Sequence, residues 1–446
     1  MALRLFSFDA ISPLWQISRL DRMYQFSKLD NGLRLATYSM PHMKSVSVGF
    51  WIGVGGRHEA EAVSGISHFI EHLLFKGTPT RSPHQISQEI EGVGGYINAY
   101  TSEEHTCYYT RATAKHLPVL IDVLSDMFLH STFPEEEVDK ERQVIKEELA
   151  MYQDQPSHYV QDLLNETIWP RHPLGRNLVG DLRSLDHISR KELIRFKNRN
   201  YNAKTTVIAA AGNIDHNEFV RLLRPRLTSL RTGAEKSYKR APAIRKRGQP
   251  YTTFKKRDCE QANLTLGYRS GSRHDSERYA LRVLNTILGE NMSSRLFQRI
   301  REDRGLAYSV YSSTNFYQDA GFLSISLGLD ERRIDETLRL INLELQDLKF
   351  ATVSKEELSR AKDYLVGQLE ISMEGTENQM NWLGEGILFF DKPPSPKKAI
   401  QAVKNTTADD IRSLAKTIFH PSRAAAALIA NAGSQKRLEK ALSDLS

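Results

Sequence analysis

Hydrophobic residues recur along this chain with two different periods, and these predict strands and helices in turn. Short apolar stretches that end at turn residues predict strands at Leu33–Tyr38, Val46–Ile52 and Thr206–Ala211. A period of three to four residues is typical of amphipathic helices and predicts them at Gly65–Lys76, His84–Gly92, Lys115–Ser131 and Pro134–Tyr152. Strands grouped with several long helices favour an α+β fold built in layers.

A strand followed by a turn and a helix occurs twice, which predicts an internal repeat. Ser45–Gly55 leads into Gly-Gly-Arg-His-Glu, and Ala262–Gly267 leads into Gly-Ser-Arg-His-Asp at an offset of 216 residues. The segment 228–252 is rich in charge, glycine and proline and lacks periodicity, as linkers do. We therefore predict two homologous mixed α/β-layer domains, at 23–227 and 253–446, joined by a linker at 228–252.

The composition is that of a soluble globular chain. Of the 446 residues, 40% are hydrophobic and 26% are charged, which argues against wholesale disorder. No uncharged apolar stretch reaches the length of about eighteen residues that a membrane-spanning helix needs, so no membrane span is expected. The two cysteines, Cys107 and Cys259, cannot form a disulfide framework and favour a reducing compartment.

The net charge and the first residues bear on partners and targeting. The charge of +7 is diffuse, and the one dense basic stretch, Lys236–Lys256, has few aromatic residues, so no nucleic-acid partner is expected. Asp9 and Pro13 break the apolar core that a secretory signal needs, and Asp9 and Asp21 argue against a transit peptide. Residues 1–22 are therefore interpreted as a dispensable N-terminal extension.

The most specific pattern in the chain is His68-Phe69-Ile70-Glu71-His72. On a helix, His68, Glu71 and His72 share one face, while the other faces are apolar, as in a buried helix. Ionisable groups buried in this way cost free energy unless a partner satisfies them. Hydrogen bonds within a core are one solution. A metal ion is the other, since two imidazoles one turn apart can hold zinc with the carboxylate near its water.

A third metal ligand should come from another buried polar group. The helix predicted from Pro134 opens with three glutamates, which suit the positive end of a helix. Its apolar stripe also carries Glu141 and Glu148, whereas Glu147 points toward solvent. Two glutamates that face a core need a cation or a donor, so both Glu141 and Glu148 are candidates.

The string from His68 to His72, followed by Glu148 after 76 residues, resembles the inverted zinc motif of the M16 metallopeptidases. This is the family of pitrilysin, insulysin and the mitochondrial processing peptidase. The resemblance runs from about Met23 to the C-terminal region, and is closest to short bacterial two-domain members and the processing-peptidase β subunit. It implies one Zn²⁺ per chain held by His68, His72 and Glu148, with Glu71 as the catalytic general base. Glu141 matches a second acidic residue that assists near the metal.

The segment Gly94–Ser102 resembles the family's strand beside the zinc. There the backbone, here that of Asn98 and Ala99, pairs with an extended peptide. Without the zinc motif, the glycines of this segment fit a plain turn before a strand.

In the second half, Met292–Phe297 and Arg301–Tyr308 resemble the family's C-terminal signature. Arg301 and Tyr308 match positions that hold the substrate backbone around the scissile bond. An arginine can bind a peptide carbonyl, and a tyrosine hydroxyl can stabilise a developing oxyanion. Apart from the family, a surface salt bridge and a core aromatic residue would be the ordinary interpretations.

The sequence also departs from the family pattern. Three glycines often precede the position of Met292, where this chain has Gly289-Glu290-Asn291. At the repeat offset, the residues equivalent to the zinc motif are apolar: Leu284, Ile287 and Leu288. The second domain is therefore expected to keep the fold, to lack the metal and to contribute substrate-binding residues.

The resemblance implies a zinc-dependent endopeptidase that acts on peptides or unfolded segments, with a processing peptidase as one form of this activity. Its chamber would be formed by two two-domain subunits, either as a homodimer or as a heterodimer with a related M16 subunit. A bacterial cytoplasmic location is expected, with the mitochondrial matrix as the alternative. The rival hypothesis is a non-catalytic subunit that holds substrate or has a structural role.

Overall fold

The computed structural model describes residues 23–235, 237–244, 250–431, 433–435 and 437–438. In this part of the chain each half builds one sheet covered by helices, which confirms the predicted fold class of two mixed α/β domains. The predicted extension 1–22 lies outside the described residues. The boundaries at 23–227, 228–252 and 253–446 stay predictions.

The first sheet contains six strands, and its predicted strands are confirmed to within one residue at each end. The strands are β1 (Tyr24–Lys28), β2 (Arg34–Ser39), β3 (Ser45–Ile52), β4 (Tyr96–Thr101), β5 (Thr106–Thr113) and β6 (Thr206–Gly212). Their order is β1-β2-β6-β3-β5-β4. Only β2 and β6 pair in parallel. Among the described strands β4 pairs with β5 alone, so its outer edge is open.

The described helices of the first half include the four predicted ones, whose ends agree to within two residues, and further helices that were not predicted. They are α1 (Ile66–Leu74), α2 (Pro83–Glu91), α3 (Leu117–His130), α4 (Glu135–Asp154), α5 (Pro156–Ile168), α6 (Leu182–His187), α7 (Arg190–Asn200) and α8 (His216–Leu227). Val48 and Phe50 of β3 pack with Phe69 and Leu73 of α1 in one buried core. This packing places α1 against the sheet, near β4.

The second half repeats the plan with a sheet of order β7-β11-β8-β10-β9. Its strands are β7 (Tyr251–Lys256), β8 (Ala262–Ser270), β9 (Ala307–Phe316), β10 (Gly321–Leu329) and β11 (Ala424–Ala430). Its helices are α9 (Arg278–Asn285), α10 (Ile334–Phe350), α11 (Lys355–Ser372), α12 (Thr376–Phe390), α13 (Pro396–Asn405) and α14 (Ala408–Ile418). In the ranges described, no helix is both long and apolar enough to cross a membrane.

The two halves exchange one helix each. α5 packs its buried residues Val160 and Leu164 against Ala427 of the second sheet. In return, α12 lies across the first sheet, where Leu383 packs with Trp51. Gly384 is needed here, because a Cβ at this position would lie 2.6 Å from the Trp51 ring. The exchange ties the two domains into one packed unit.

Candidate metal centre and active site

Helix α1 begins at a turn that is fixed by a glycine and by a buried carboxylate. Gly65 precedes the helix with a φ of 91°, which favours glycine. A Cβ there would also lie 2.3 Å from the carbonyl oxygen of Val179. The buried Glu59 carboxylate accepts hydrogen bonds from the backbone N–H groups of Gly65 and Ser67, at 2.7 and 2.8 Å. These bonds satisfy free donors at the helix start. Burial outweighs them and raises the pKa of Glu59 to about 7.

Three side chains converge where α1 faces α4. The Nε2 atom of His68 lies 3.7 Å, and that of His72 lies 3.6 Å, from the Oε2 atom of Glu148. One ligand atom from each residue lies within 4.8 Å of the others. These separations are too long for hydrogen bonds. Burial, reinforced by the nearby His72, lowers the pKa of His68 to about 3. Its imidazole is therefore neutral at pH 7, as a metal ligand must be.

This arrangement fits a zinc ion. Ligand bonds of about 2.1 Å in tetrahedral geometry separate neighbouring ligand atoms by about 3.4 Å, close to the spacing observed here. Two imidazole nitrogens and one carboxylate oxygen are also ligands that catalytic zinc sites use. Across the described residues, no other group of three histidine, cysteine or acidic side chains has this spacing.

The two other glutamates considered on α4 lie elsewhere. Glu141 accepts a hydrogen bond at 2.9 Å from Nδ1 of His72, the nitrogen that faces away from the cluster, and lies 2.7 Å from the Lys76 ammonium. Burial raises the pKa of Glu141, but the bonds from His72 and Lys76 outweigh it and lower the pKa overall. Glu147 is exposed, as predicted. The two glutamates therefore differ in position: Glu148 lies near the Nε2 atoms of both histidines, whereas Glu141 contacts only the Nδ1 side of His72.

Glu71 lies on the same face of α1 and next to the sheet edge. The Thr101 hydroxyl at the end of β4 donates to its Oε2 at 2.5 Å. Burial raises the pKa of Glu71, while the Thr101 bond acts in the opposite direction. A carboxylate with a raised pKa accepts a proton more readily than an ordinary one. Sequence reasoning gave Thr101 no role, although it lies in the segment singled out beside the zinc.

The predicted peptide-binding residues Asn98 and Ala99 lie on the open edge of β4. The backbone N–H of Ala99 donates to the Oδ1 atom of Asn98 at 2.8 Å rather than to β5. This N–H therefore points to the free edge, where its own neighbour satisfies it. An incoming strand can take the place of Asn98 there.

Arg301 and Tyr308 lie together in the second domain. Gly328 pairs with Ser309 and Leu329 pairs with Ala307, so Tyr308 is the extra residue of a β-bulge on the edge strand β9. The bulge turns Tyr308 outward, and it is 75% exposed. The Arg301 guanidinium carbon lies 5.7 Å from its ring centre. Tyr308 is therefore not a core aromatic residue.

Comparisons with known proteins identify the family of this chain. The family model described as Insulinase (Peptidase family M16) matches residues 34–182, and the one described as Peptidase M16 inactive domain matches residues 187–365. A zinc protease of Mycobacterium tuberculosis, described as uncharacterized, is 37% identical over 93% of this chain and 94% of its own. This chain belongs to peptidase family M16. The second model's description agrees with the apolar residues of the second M16 domain at Leu284, Ile287 and Leu288.

Other M16 relatives cover nearly the whole chain as well. A zinc protease of Bacillus subtilis, also described as uncharacterized, is 36% identical over 87% of this chain and 94% of its own. A solved protease structure from Helicobacter pylori has a TM-score of 0.85 at 21% identity, covering 91% of this chain and 99% of its own. The structural likeness supports the two-domain M16 fold.

Proposed function

We propose that this chain is a zinc-dependent endopeptidase that hydrolyses peptides or unfolded segments. The observation that carries the proposal is the convergence of His68, His72 and Glu148 on one point beside Glu71 and an open strand edge. The names of the bacterial relatives, which are called zinc proteases, support the metal and the reaction class.

One Zn²⁺ per chain would be held by His68, His72 and Glu148. When bound, zinc supplies a Lewis acid for the scissile carbonyl and for the attacking water. Glu141 holds Nδ1 of His72, so it keeps Nε2 of that ring turned toward Glu148. Lys76 in turn holds Glu141. Glu141 therefore assists catalysis through the orientation of a ligand and does not touch the reacting atoms.

Glu71 would be the general base. It takes a proton from the water that attacks the peptide carbonyl and then gives it to the leaving amine. Burial, which raises the pKa of Glu71, favours the uptake of the proton from the water. The Thr101 hydroxyl fixes one oxygen of the carboxylate and leaves the other available for the water.

The substrate would bind as an added strand along β4. Ala99 offers its backbone N–H and C=O on that edge, and rotation of the Asn98 side chain frees the Ala99 N–H for a substrate carbonyl. Because an extended backbone is needed for this pairing, unfolded segments are better substrates than folded proteins.

Arg301 and Tyr308 would complete the site of a second chain. Tyr308 is eight residues from Phe316 at the other end of β9, or about 26 Å along an extended strand. Phe316 lies near the junction of the halves, since its carbonyl accepts a hydrogen bond from Arg273, which also binds the β4–β5 turn. Tyr308 thus lies far from that junction, whereas Thr101 lies beside it. A homodimer, or a heterodimer with a related M16 subunit, would bring Tyr308 to the oxyanion.

The bacterial sources of the relatives support a bacterial cytoplasmic location, with the mitochondrial matrix as the alternative. No nucleic acid is needed as a partner.

Glu71→Gln tests the proposal. The variant should retain zinc, because Glu71 is not among the converging ligands, but should lose peptide turnover by about a hundredfold or more. Zinc is measured by metal analysis of the purified chain, and turnover with a peptide library. Glu147→Gln, on the exposed side of α4, is the matched control and should behave as the parent chain. A parent chain that binds zinc but cleaves no peptide in the library would favour the non-catalytic subunit.

A further inference from the structure

The turn between β4 and β5 (residues 102–105) lies at the junction of the two halves. Its Glu104 side chain is only 3% exposed. One carboxylate oxygen binds Arg57 of the first half at 2.6 Å, and the other binds Arg273 of the second half at 2.7 Å. The backbone N–H of Gln318 also donates to both oxygens, at 3.0 and 3.1 Å. A single buried carboxylate therefore joins both domains.

These ion pairs follow the internal repeat. Arg57 and Arg273 occupy the same place in the two repeated Gly-x-Arg-His-acid turns. Glu104 and Asp319 also correspond, since each precedes its next strand, β5 or β10, by two residues. Arg57 binds Asp319 across the junction at 2.6 Å, just as Arg273 binds Glu104. The pairing is thus reciprocal between the domains.

Of the two corresponding turns, the β4–β5 turn is the one that lies next in the chain to a residue in contact with Glu71. Thr101, which holds Glu71, is three residues from Glu104. The backbone between them is held closely: Gly56 N–H donates to the Ser102 carbonyl at 3.1 Å. A Cβ on Gly55 would lie 2.0 Å from that same oxygen. With so little space, a shift of Glu104 must move Thr101 as well.

We propose that Glu104 is a positioning residue that couples the alignment of the two domains to the placement of Thr101 on Glu71. Its two arginines set the position of the β4–β5 turn, and the turn sets the end of β4 against α1. The expected effect of Glu104 on turnover rests on the proposed peptidase function. The expected effect of Glu104 on the position of β4 does not.

Asp319→Asn provides a matched control for Glu104→Gln. Each change removes one negative charge from the same junction, and each weakens a pair with Arg57. Asp319 lies on the β9–β10 turn, where its carboxylate accepts hydrogen bonds from Arg57 and from the backbone N–H of Ala241. If Glu104 had only a structural role, both variants would have a lower melting temperature. The exchange rates of the β4 amides would then change in both variants or in neither.

The experiment combines hydrogen exchange with steady-state kinetics. Glu104→Gln should raise the exchange rates of the β4 amides by at least about tenfold. It should also lower kcat by about tenfold with a smaller change in KM. Asp319→Asn should leave both within about twofold. Equal effects of the two variants, or unchanged β4 exchange in Glu104→Gln, would overturn the proposal.

If Glu104→Gln does not fold, Arg273→Gln removes the contact from the second half and leaves the Arg57–Glu104 pair in place. The same increase in β4 exchange is then expected, and its absence overturns the proposal. A parent chain that cleaves no peptide would contradict the proposed function alone, because the exchange comparison still decides whether Glu104 positions β4.

Discussion

Acid should destabilise this protein through His105, which follows Glu104 in the β4–β5 turn. The side chain is 10% exposed. Its Nδ1 atom is hydrogen-bonded to the Ser102 hydroxyl at 2.8 Å, and its Nε2 atom lies 3.4 Å from the Tyr100 hydroxyl. Burial, reinforced by the positive charge of Arg273, lowers the pKa of His105 to about 3. Glu385, 3.9 Å away, is the facing acid.

The sign and the size of the effect follow from this pKa. Between its ordinary value of 6.5 and about 3, the unfolded chain binds a proton at His105 that the folded chain does not. The free energy of unfolding therefore falls as the pH falls from 6.5 toward 3. From pH 8 to pH 5 the loss is about 2 kcal/mol.

Urea unfolding of the chelator-treated protein, followed by circular dichroism at pH 8 and pH 5, measures this loss. His105→Gln should lose about 2 kcal/mol less than the parent chain over that interval, because glutamine does not titrate. His84→Gln changes an exposed histidine on α2 and should lose as much as the parent. An equal loss in His105→Gln and the parent would refute the assignment of this acid sensitivity to His105.

Two further predictions concern the metal and the second chain. Glu141→Gln should weaken zinc binding by about 10- to 100-fold, because it weakens the hydrogen bond that orients the His72 ring. Titration against a zinc chelator measures this affinity. An unchanged affinity would contradict the role of Glu141. Homodimers of Glu71→Gln and homodimers of Tyr308→Phe should each lose turnover. The two variants can be co-expressed with different tags and purified as a mixed dimer. One of its two sites then combines an intact Glu71 with an intact Tyr308 from the other chain, so turnover should recover at that site. No recovery in the mixed dimer would contradict action of Tyr308 on the other chain.

Local pattern was enough for part of the described elements of the first domain. Amphipathic period and turn residues predicted four helices to within two residues, because these signals act within a few positions of the chain. The exchange of α5 and α12 between the sheets was not predicted. An apolar helix face shows that it will be buried, but it does not show which sheet will cover it.

The candidate site was also predicted in part from the sequence and decided in part by the packing of the helices. The sequence by itself determined that His68, Glu71 and His72 share a face, because the helical period alone places them there. It narrowed the third ligand to Glu141 and Glu148, which lie on one stripe of α4. Only the packing of α1 against α4 decided that Glu148 meets both Nε2 atoms while Glu141 binds the back of His72.

The junction between the domains was decided by tertiary structure alone. Arg57 was noticed as part of a repeated turn, yet its partner Asp319 is 262 residues away, and Glu104 carries no local signal of its role. Charged residues are common on surfaces, and a sequence shows neither which of them become buried nor which opposite charge they meet. That pairing depends on where the whole chain brings its two halves together, because electrostatic attraction acts through space and not along the sequence.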